Sequence, residues 1–207
     1  MTLTESRVRT LLEPYHVAAP APVCSKILIY MDLLSKWRKK ISLTTITDDE
    51  EVVRFHFGES IFALSLRRFE NGRLADVGSG AGFPGLAIKL FCPNLKVTLL
   101  EPNRKKCTFL NEAIRKLDLT ESEALPIGFE ASKIAPGELT YVASRALGKT
   151  SDLLFWSKGK LTPDGCVVLW LGAEDATRTM QISGWRWTEA SIPGALKRKI
   201  LTGIKLT

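Results

Sequence analysis

Cysteine and histidine are scarce in this chain, with four cysteines and two histidines among 207 residues. Cys24, Cys92, Cys107 and Cys166 form no C-x-x-C pair, and His16 and His56 do not complete any zinc-ligand spacing. The expectation is four reduced thiols, as in the cytosol. Long apolar runs are missing too: none approaches the ~20 residues that a membrane-spanning helix requires. Met1–Thr10 is polar, carries Glu5, Arg7 and Arg9, and has no apolar signal-peptide core, so a cytoplasmic location is expected. Internal repeats and low-complexity tracts are also absent.

What remains is the composition of a globular protein, 45% hydrophobic and 25% charged. The length suits one large domain, or one domain with a small appendage. Charge is unevenly placed. Lys and Arg number 29 against 22 Asp and Glu, a net of +7; residues 1–72 carry 10 basic and 9 acidic groups, and residues 73–207 carry 19 and 13. Such a basic excess draws polyanions, although a solvated basic surface has the same composition.

Residues 1–72 read as a helical N-terminal extension. Thr4 caps a short helix to about Glu13, with Val8, Leu11 and Leu12 on one side. After the breaker Ala18–Pro22, a second helix is predicted from about Val23 to Lys40, its apolar stripe formed by Ile27, Leu28, Met31, Leu34 and Trp37. A third, capped by Asp48 or Asp49, is predicted to run to about Arg68 and to bury Val52, Val53, Phe57, Ile61 and Leu64.

From residue 73 to residue 207 the pattern changes. Strand-like runs at Arg73–Val77, Lys96–Leu100, about Glu123–Ile127, Leu139–Ala143 and Cys166–Leu171 alternate with helical runs at Gly85–Phe91, Lys105–Leu117 and Ser151–Lys160. This alternation implies parallel strands joined by crossover helices. Trp185–Ser191 and Lys197–Lys205 have only Pro193-Gly194 as punctuation between them, which suits an antiparallel hairpin at the sheet edge.

The most informative segment is Asp76-Val77-Gly78-Ser79-Gly80-Ala81-Gly82-Phe83-Pro84-Gly85, which follows a predicted strand and opens a helix. Glycine there permits a tight turn and a close approach of ligand to backbone. Glu101 ends the next strand, where a carboxylate can accept both ribose hydroxyls of an adenosine. Gly80, Gly82 and Gly85 also satisfy G-x-G-x-x-G, so a dinucleotide stays open. Three features favour S-adenosylmethionine. Asp76 suits a cationic sulfonium and amino group better than a pyrophosphate. Pro84 removes a backbone N–H that a pyrophosphate would want. The residues after the loop are too few for the added substrate domain of most dehydrogenases.

Leu74–Leu119 resembles the glucose-inhibited division protein B family, the 16S ribosomal RNA guanine-N7 methyltransferases. The resemblance lies in the glycine loop, Leu99-Leu100-Glu101, Lys105-Lys106 and Phe109-Leu110. Trp37 with Leu43-Thr44 is similar to the family's W-N-x-x-x-N-L-T, and His56–Ser60 to its H-x-x-D-S. Ser144-Arg145-Ala146 matches its S/A-R-A element, and Pro193–Leu206, with Arg198, resembles its closing hairpin. There are departures: Arg38 and Ser42 stand for asparagines, Glu59 for the aspartate, and Leu171 for a lysine. Phe129-Glu130 lack the arginine usual before the acidic position.

The resemblance implies an α/β, Rossmann-like S-adenosylmethionine-dependent methyltransferase fold, with a mostly parallel seven-stranded sheet and an N-terminal helical extension. It implies methyl transfer to N7 of a guanine in 16S ribosomal RNA, free or within the small ribosomal subunit, by a monomer. Expected cofactor contacts are Asp76, Gly78, Gly80, Gly82, Phe83, Glu101, Phe129, Glu130 and Arg145. Arg145 is also expected at the methyl acceptor, holding the cofactor carboxylate, guanine O6 or a phosphate. Lys36, Arg38, Lys39, Lys40, His56, Arg104 and Lys105 are expected RNA contacts, the lysines alternatively a solvated face. The missing polar residues leave two other readings, a methyltransferase for a different RNA or a small molecule, and a non-catalytic RNA-binding relative.

Guanine N7 carries an in-plane lone pair and no proton, so its methylation needs no general base. Acceleration must come from orientation and desolvation. The chain accordingly lacks [D/N]-P-P-[Y/F] and a Pro-Cys pair after the fourth strand, and Cys166 is predicted to be core.

Overall fold

The computed structural model describes residues 3–145, 147–195 and 197–206. Ala146 of the S-R-A element and Leu196 of the hairpin connection lie outside the described residues. Seven strands form one sheet: β1 (Gly72–Val77), β2 (Leu95–Leu100), β3 (Ser122–Leu125), β4 (Leu139–Arg145), β5 (Leu161–Gly172), β6 (Trp185–Ser191) and β7 (Arg198–Lys205). Their order is β3-β2-β1-β4-β5-β7-β6. β1 to β5 pair in parallel, and β7 pairs antiparallel with both β5 and β6. The alternating strands and helices therefore build the mostly parallel sheet, and the terminal hairpin closes one edge of it.

Eight α-helices are described: α1 (Glu5–Leu12), α2 (Ala21–Trp37), α3 (Asp49–Val52), α4 (Glu59–Leu66), α5 (Gly85–Phe91), α6 (Arg104–Lys116), α7 (Thr150–Lys160) and α8 (Ala173–Met180). The caps follow local chemistry. Thr4 accepts from Arg7 N–H, Asp48 from Glu51 N–H, and Asn103 from the N–H groups of Lys105 and Lys106. The single helix expected from Asp48 to Arg68 is instead α3 and α4 joined by a π-helical turn at Val53–Gly58. One residue more than an α turn fits there, and such bulges cluster at functional sites. α8 was not expected. Its sequence AEDATRTM has no large apolar residue before Met180, and only Ala176 and Thr179 are buried.

One apolar cluster joins Val8, Ile27, Leu34, Phe57 and Ile61 of the N-terminal helices to Leu74, Leu99, Phe109 and Cys166 of the sheet and its crossover. A second fills the opposite side around Val77, Val142, Leu153 and Leu169. Tyr30 of α2 is the pivot of the first. Its ring meets Phe57, Phe83 and Phe109 edge-on at 5.1, 5.4 and 5.9 Å. Such pairs add about 0.5–1.5 kcal/mol each beyond area burial. Its hydroxyl donates to Ala81 O at 2.6 Å, so the helical extension holds the glycine loop directly. All four cysteines are unpaired, and Cys166 is fully buried. No described helix is long and apolar enough to cross a membrane.

Candidate active site

The loop Gly78–Pro84 lies at the carboxyl end of β1, where Val77 is flanked by Leu100 of β2 and Ser144 of β4. Gly78, Gly80 and Gly82 have φ of 73°, 56° and 96°, the left-handed region that glycine adopts without strain. They differ in what a side chain would meet. A Cβ on Gly82 would fall 2.5 Å from Leu86 Cδ1, inside the core, whereas one on Gly80 would find only Gly78 O at 3.9 Å. Gly80 thus presents bare backbone to open space, as a ligand-facing position requires.

Two carboxylates flank that backbone. Asp76 is fully buried; its Oδ2 accepts from Gly85 N–H at 2.9 Å, and its Oδ1 has no hydrogen-bond partner among the described residues. A Cβ on Gly85 would lie 2.6 Å from Asp76 Oδ2, so this glycine makes room for the carboxylate. Burial pushes the Asp76 pKa up to about 7, against the lowering effect of the Gly85 and Ser79 hydrogen bonds. Glu101 is 6% exposed, and its Oε2 and Oε1 accept from Gly80 N–H at 2.8 Å and Asn103 N–H at 2.9 Å. Each oxygen keeps a second lone pair, which a ribose hydroxyl can use.

The donor set therefore fits S-adenosylmethionine. An orphaned buried acid oxygen awaits a cation, the glycine backbone is open, and a carboxylate stands at the next strand end. Phe83, expected to line this pocket, is 6% exposed and packs among Tyr30, Phe57 and His56, its ring stacked 4.8 Å from the imidazole. It supports the loop from below. Phe129, also expected at the cofactor, is buried in the second cluster edge-on to Trp156 at 5.6 Å. Glu130 is exposed and ion-paired to Lys149 at 3.1 Å.

Beside the loop, over the ends of β4 and β5, lies a cavity of about 440 Å³ lined by Glu59, Arg145, Leu147, Trp170, Leu171 and Arg198, among others. Leu147 connects the two places, because a Cβ on Gly78 would sit 3.3 Å from its Cδ1. Arg145 was expected to reach the cofactor carboxylate, guanine O6 or a phosphate. Instead its Nη1 donates to Phe55 O at 2.9 Å and its Nη2 lies 3.4 Å from Glu59 Oε2. Arg198 of β7 brings Nη2 to 2.6 Å from Glu59 Oε1, and Trp170 Nε1–H donates to Glu59 O at 2.7 Å. Three parts of the chain thus converge on one buried glutamate. That centre was not foreseen, although Glu59 falls seven residues after Val52 on the apolar stripe, which is the signal for a buried carboxylate.

His56 sits in the π turn. Its Nε2 is 2.7 Å from Thr44 Oγ1, while Nδ1 is buried with no partner among the described residues. Burial, with Arg145 and Arg198 nearby, lowers its pKa to about 3, so the ring is neutral and cannot meet phosphate as a cation. Arg38, another expected RNA contact, donates to Thr47 O and pairs with Asp49, which ties it to its own loop. Lys36, Lys39, Lys40, Arg104 and Lys105 are exposed. Trp37 donates to Glu112 Oε2 at 2.9 Å and meets Phe109 at 5.9 Å, which sets the end of α2 and its lysines beside α6. No group of three or more metal-ligating side chains occurs among the described residues.

Residues 23–183 match the family profile described as rRNA small subunit methyltransferase G. A protein of that name from Acetivibrio thermocellus is 34% identical over 167 residues, covering 77% of this chain and 69% of its own. Another from Halorhodospira halophila is 34% identical over 158 residues, covering 76% and 73%. Among solved structures, geranyl diphosphate methyltransferase with GPP and sinefungin shares the fold, with a TM-score of 0.66 at 12% identity, over 76% of this chain and 81% of that one.

Proposed function

The chain belongs to the rRNA small subunit methyltransferase G family, and from that premise we propose that it methylates N7 of a guanine in 16S ribosomal RNA. The observation that carries this reading is the proximity of two places. The open backbone of Gly80 with the carboxylates of Asp76 and Glu101 lies on one side of Leu147, and a base-sized cavity at the ends of β4 and β5 lies on the other. When bound, S-adenosylmethionine would supply an electrophilic methyl for the N7 lone pair, its S–CH3 bonding pair staying on sulfur so that the positive charge would pass to the guanine.

The protein's own part is placement. The ionised Asp76 meets the cationic end of the cofactor, and Glu101 its ribose. Bare backbone at Gly80 allows close approach, and the apolar wall at Leu147, Leu171 and Ile192 excludes water from the acceptor side. His56, neutral and stacked, is not a proton acceptor in this scheme, and N7 has no proton to lose. Lys36, Lys39, Lys40, Arg104 and Lys105 carry the RNA backbone. We place the protein in the cytoplasm as a monomer.

Tritium-labelled methyl transfer from the cofactor, measured in parallel to small ribosomal subunits, free 16S RNA and small-molecule pools, tests the reading. Label is expected in one of the two RNA fractions. Label confined to small molecules, or none anywhere with pure folded protein, contradicts it.

A further inference from the structure

Glu59 is a buried carboxylate on the wall of the cavity. Its side chain is 1% exposed, it lines the acceptor cavity, and two arginines lie against it. Yet neither carboxylate oxygen has a partner in hydrogen-bond geometry among the described residues: the arginines supply charge, not aligned N–H donors. Burial raises the Glu59 pKa, and Arg145 and Arg198 oppose that. Arg198 is 41% exposed, and besides reaching Glu59 its guanidinium lies over the Phe55 ring at 5.4 Å. Phe55 and Glu59 are one helical turn apart, so a single guanidinium covers an aromatic face and crowds a carboxylate at once.

A guanidinium is a planar array of N–H donors, and so is the N1–C2–N2 edge of guanine. We propose that the Arg198 guanidinium holds the place of the acceptor base, and that Glu59 selects guanine by accepting its N1–H and N2–H bonds while Phe55 stacks on the ring. The inference rests on the methyltransferase reading and adds the residue that chooses the base. Adenine offers N7 as well, but its N1 is an acceptor and its C2 carries no amine, so the same carboxylate repels it. The carboxylate has a second effect. N7 methylation leaves the purine cationic, and Glu59 places a negative charge on its far edge, offsetting Arg145 beside it. Flipped or unpaired bases are commonly held this way, stacked on an aromatic ring and read on the Watson–Crick edge.

The test compares methyl transfer to 16S RNA carrying guanosine or inosine at the nucleotide that the wild-type protein methylates, the inosine introduced by ligation. Inosine keeps N1–H, O6 and N7 and lacks only the N2 amine. The wild type should prefer guanosine by about 10- to 100-fold in kcat/KM, the scale of one hydrogen bond to a charged group. Glu59→Gln should lower transfer to guanosine and collapse that preference toward unity. A glutamate that merely held the arginines would slow both substrates alike and leave the ratio at the wild-type value, which overturns the proposal. Equal rates on both substrates for the wild type overturn it without any variant, should Glu59→Gln not fold. A wild type that places no methyl on any guanine N7 instead sinks the methyltransferase reading on which the proposal rests.

Discussion

At the residue scale the two carboxylates beside the glycine loop make separable predictions. Glu101→Ala removes a charged acceptor and leaves two backbone donors without it. S-adenosylmethionine binding should weaken by about 1–3 kcal/mol in calorimetry, and unchanged affinity would remove Glu101 from the site. Asp76 titrates near 7 without ligand because burial penalises its charge. A cationic ligand favours the ionised form, so binding below that pH must release a proton. Affinity should then rise about tenfold per pH unit between pH 5.5 and 6.5 and level off above about 7. A flat profile would mean that Asp76 does not meet the cation. For folding alone the sign is opposite: the raised pKa stabilises the fold below the unfolded value, and that contribution fades as pH rises to about 7. Arg145→Ala loses the Phe55 carbonyl contact and one partner of a buried carboxylate. It should lower the unfolding free energy by about 1–3 kcal/mol, and an unchanged urea midpoint would show those contacts to be idle. The placement of Asp76, Gly80 and Glu101 around one loop was legible because it is local, a turn and two strand ends. The pairing of Arg145 and Arg198 on Glu59 was not, since its members stand at positions 59, 145 and 198.

Most elements were legible from apolar spacing and turn residues, and α8 and the π turn were not. The hairpin of β6 and β7, the crossovers α5 and α6 and the capped α1 follow directly from apolar spacing and turn residues. The π turn at Val53–Gly58 escapes such reading because one added residue barely disturbs the spacing of Val53, Phe57 and Ile61. It nevertheless orients Phe55, His56 and Glu59 together. Gly58 marks its packing: a Cβ there would fall 2.1 Å from Tyr15 Cε2. Gly58→Ala should therefore cost about 1–3 kcal/mol by overpacking. It should also slow methyl transfer, since α4 begins at the next residue. A variant with wild-type melting temperature and rate would mean that Tyr15 yields freely.

For the whole molecule, the net charge of +7 and the exposed lysines at the end of α2 call for a polyanion. Binding to 16S RNA should fall steeply with salt, and Lys39→Ala with Lys40→Ala should flatten that slope by about one unit per lost phosphate contact. An unaltered slope would move the RNA path elsewhere. The central claim, that this protein puts a methyl on N7 of a guanine in 16S RNA, is tested most directly by mass spectrometry of nucleosides. 16S RNA, free or in small subunits, is treated with S-adenosylmethionine and protein, then digested. The wild type should yield 7-methylguanosine, and Gly80→Val, whose side chain would fill the open face of the loop, should yield none. A different methylated nucleoside, or 7-methylguanosine from both proteins alike, would contradict the account.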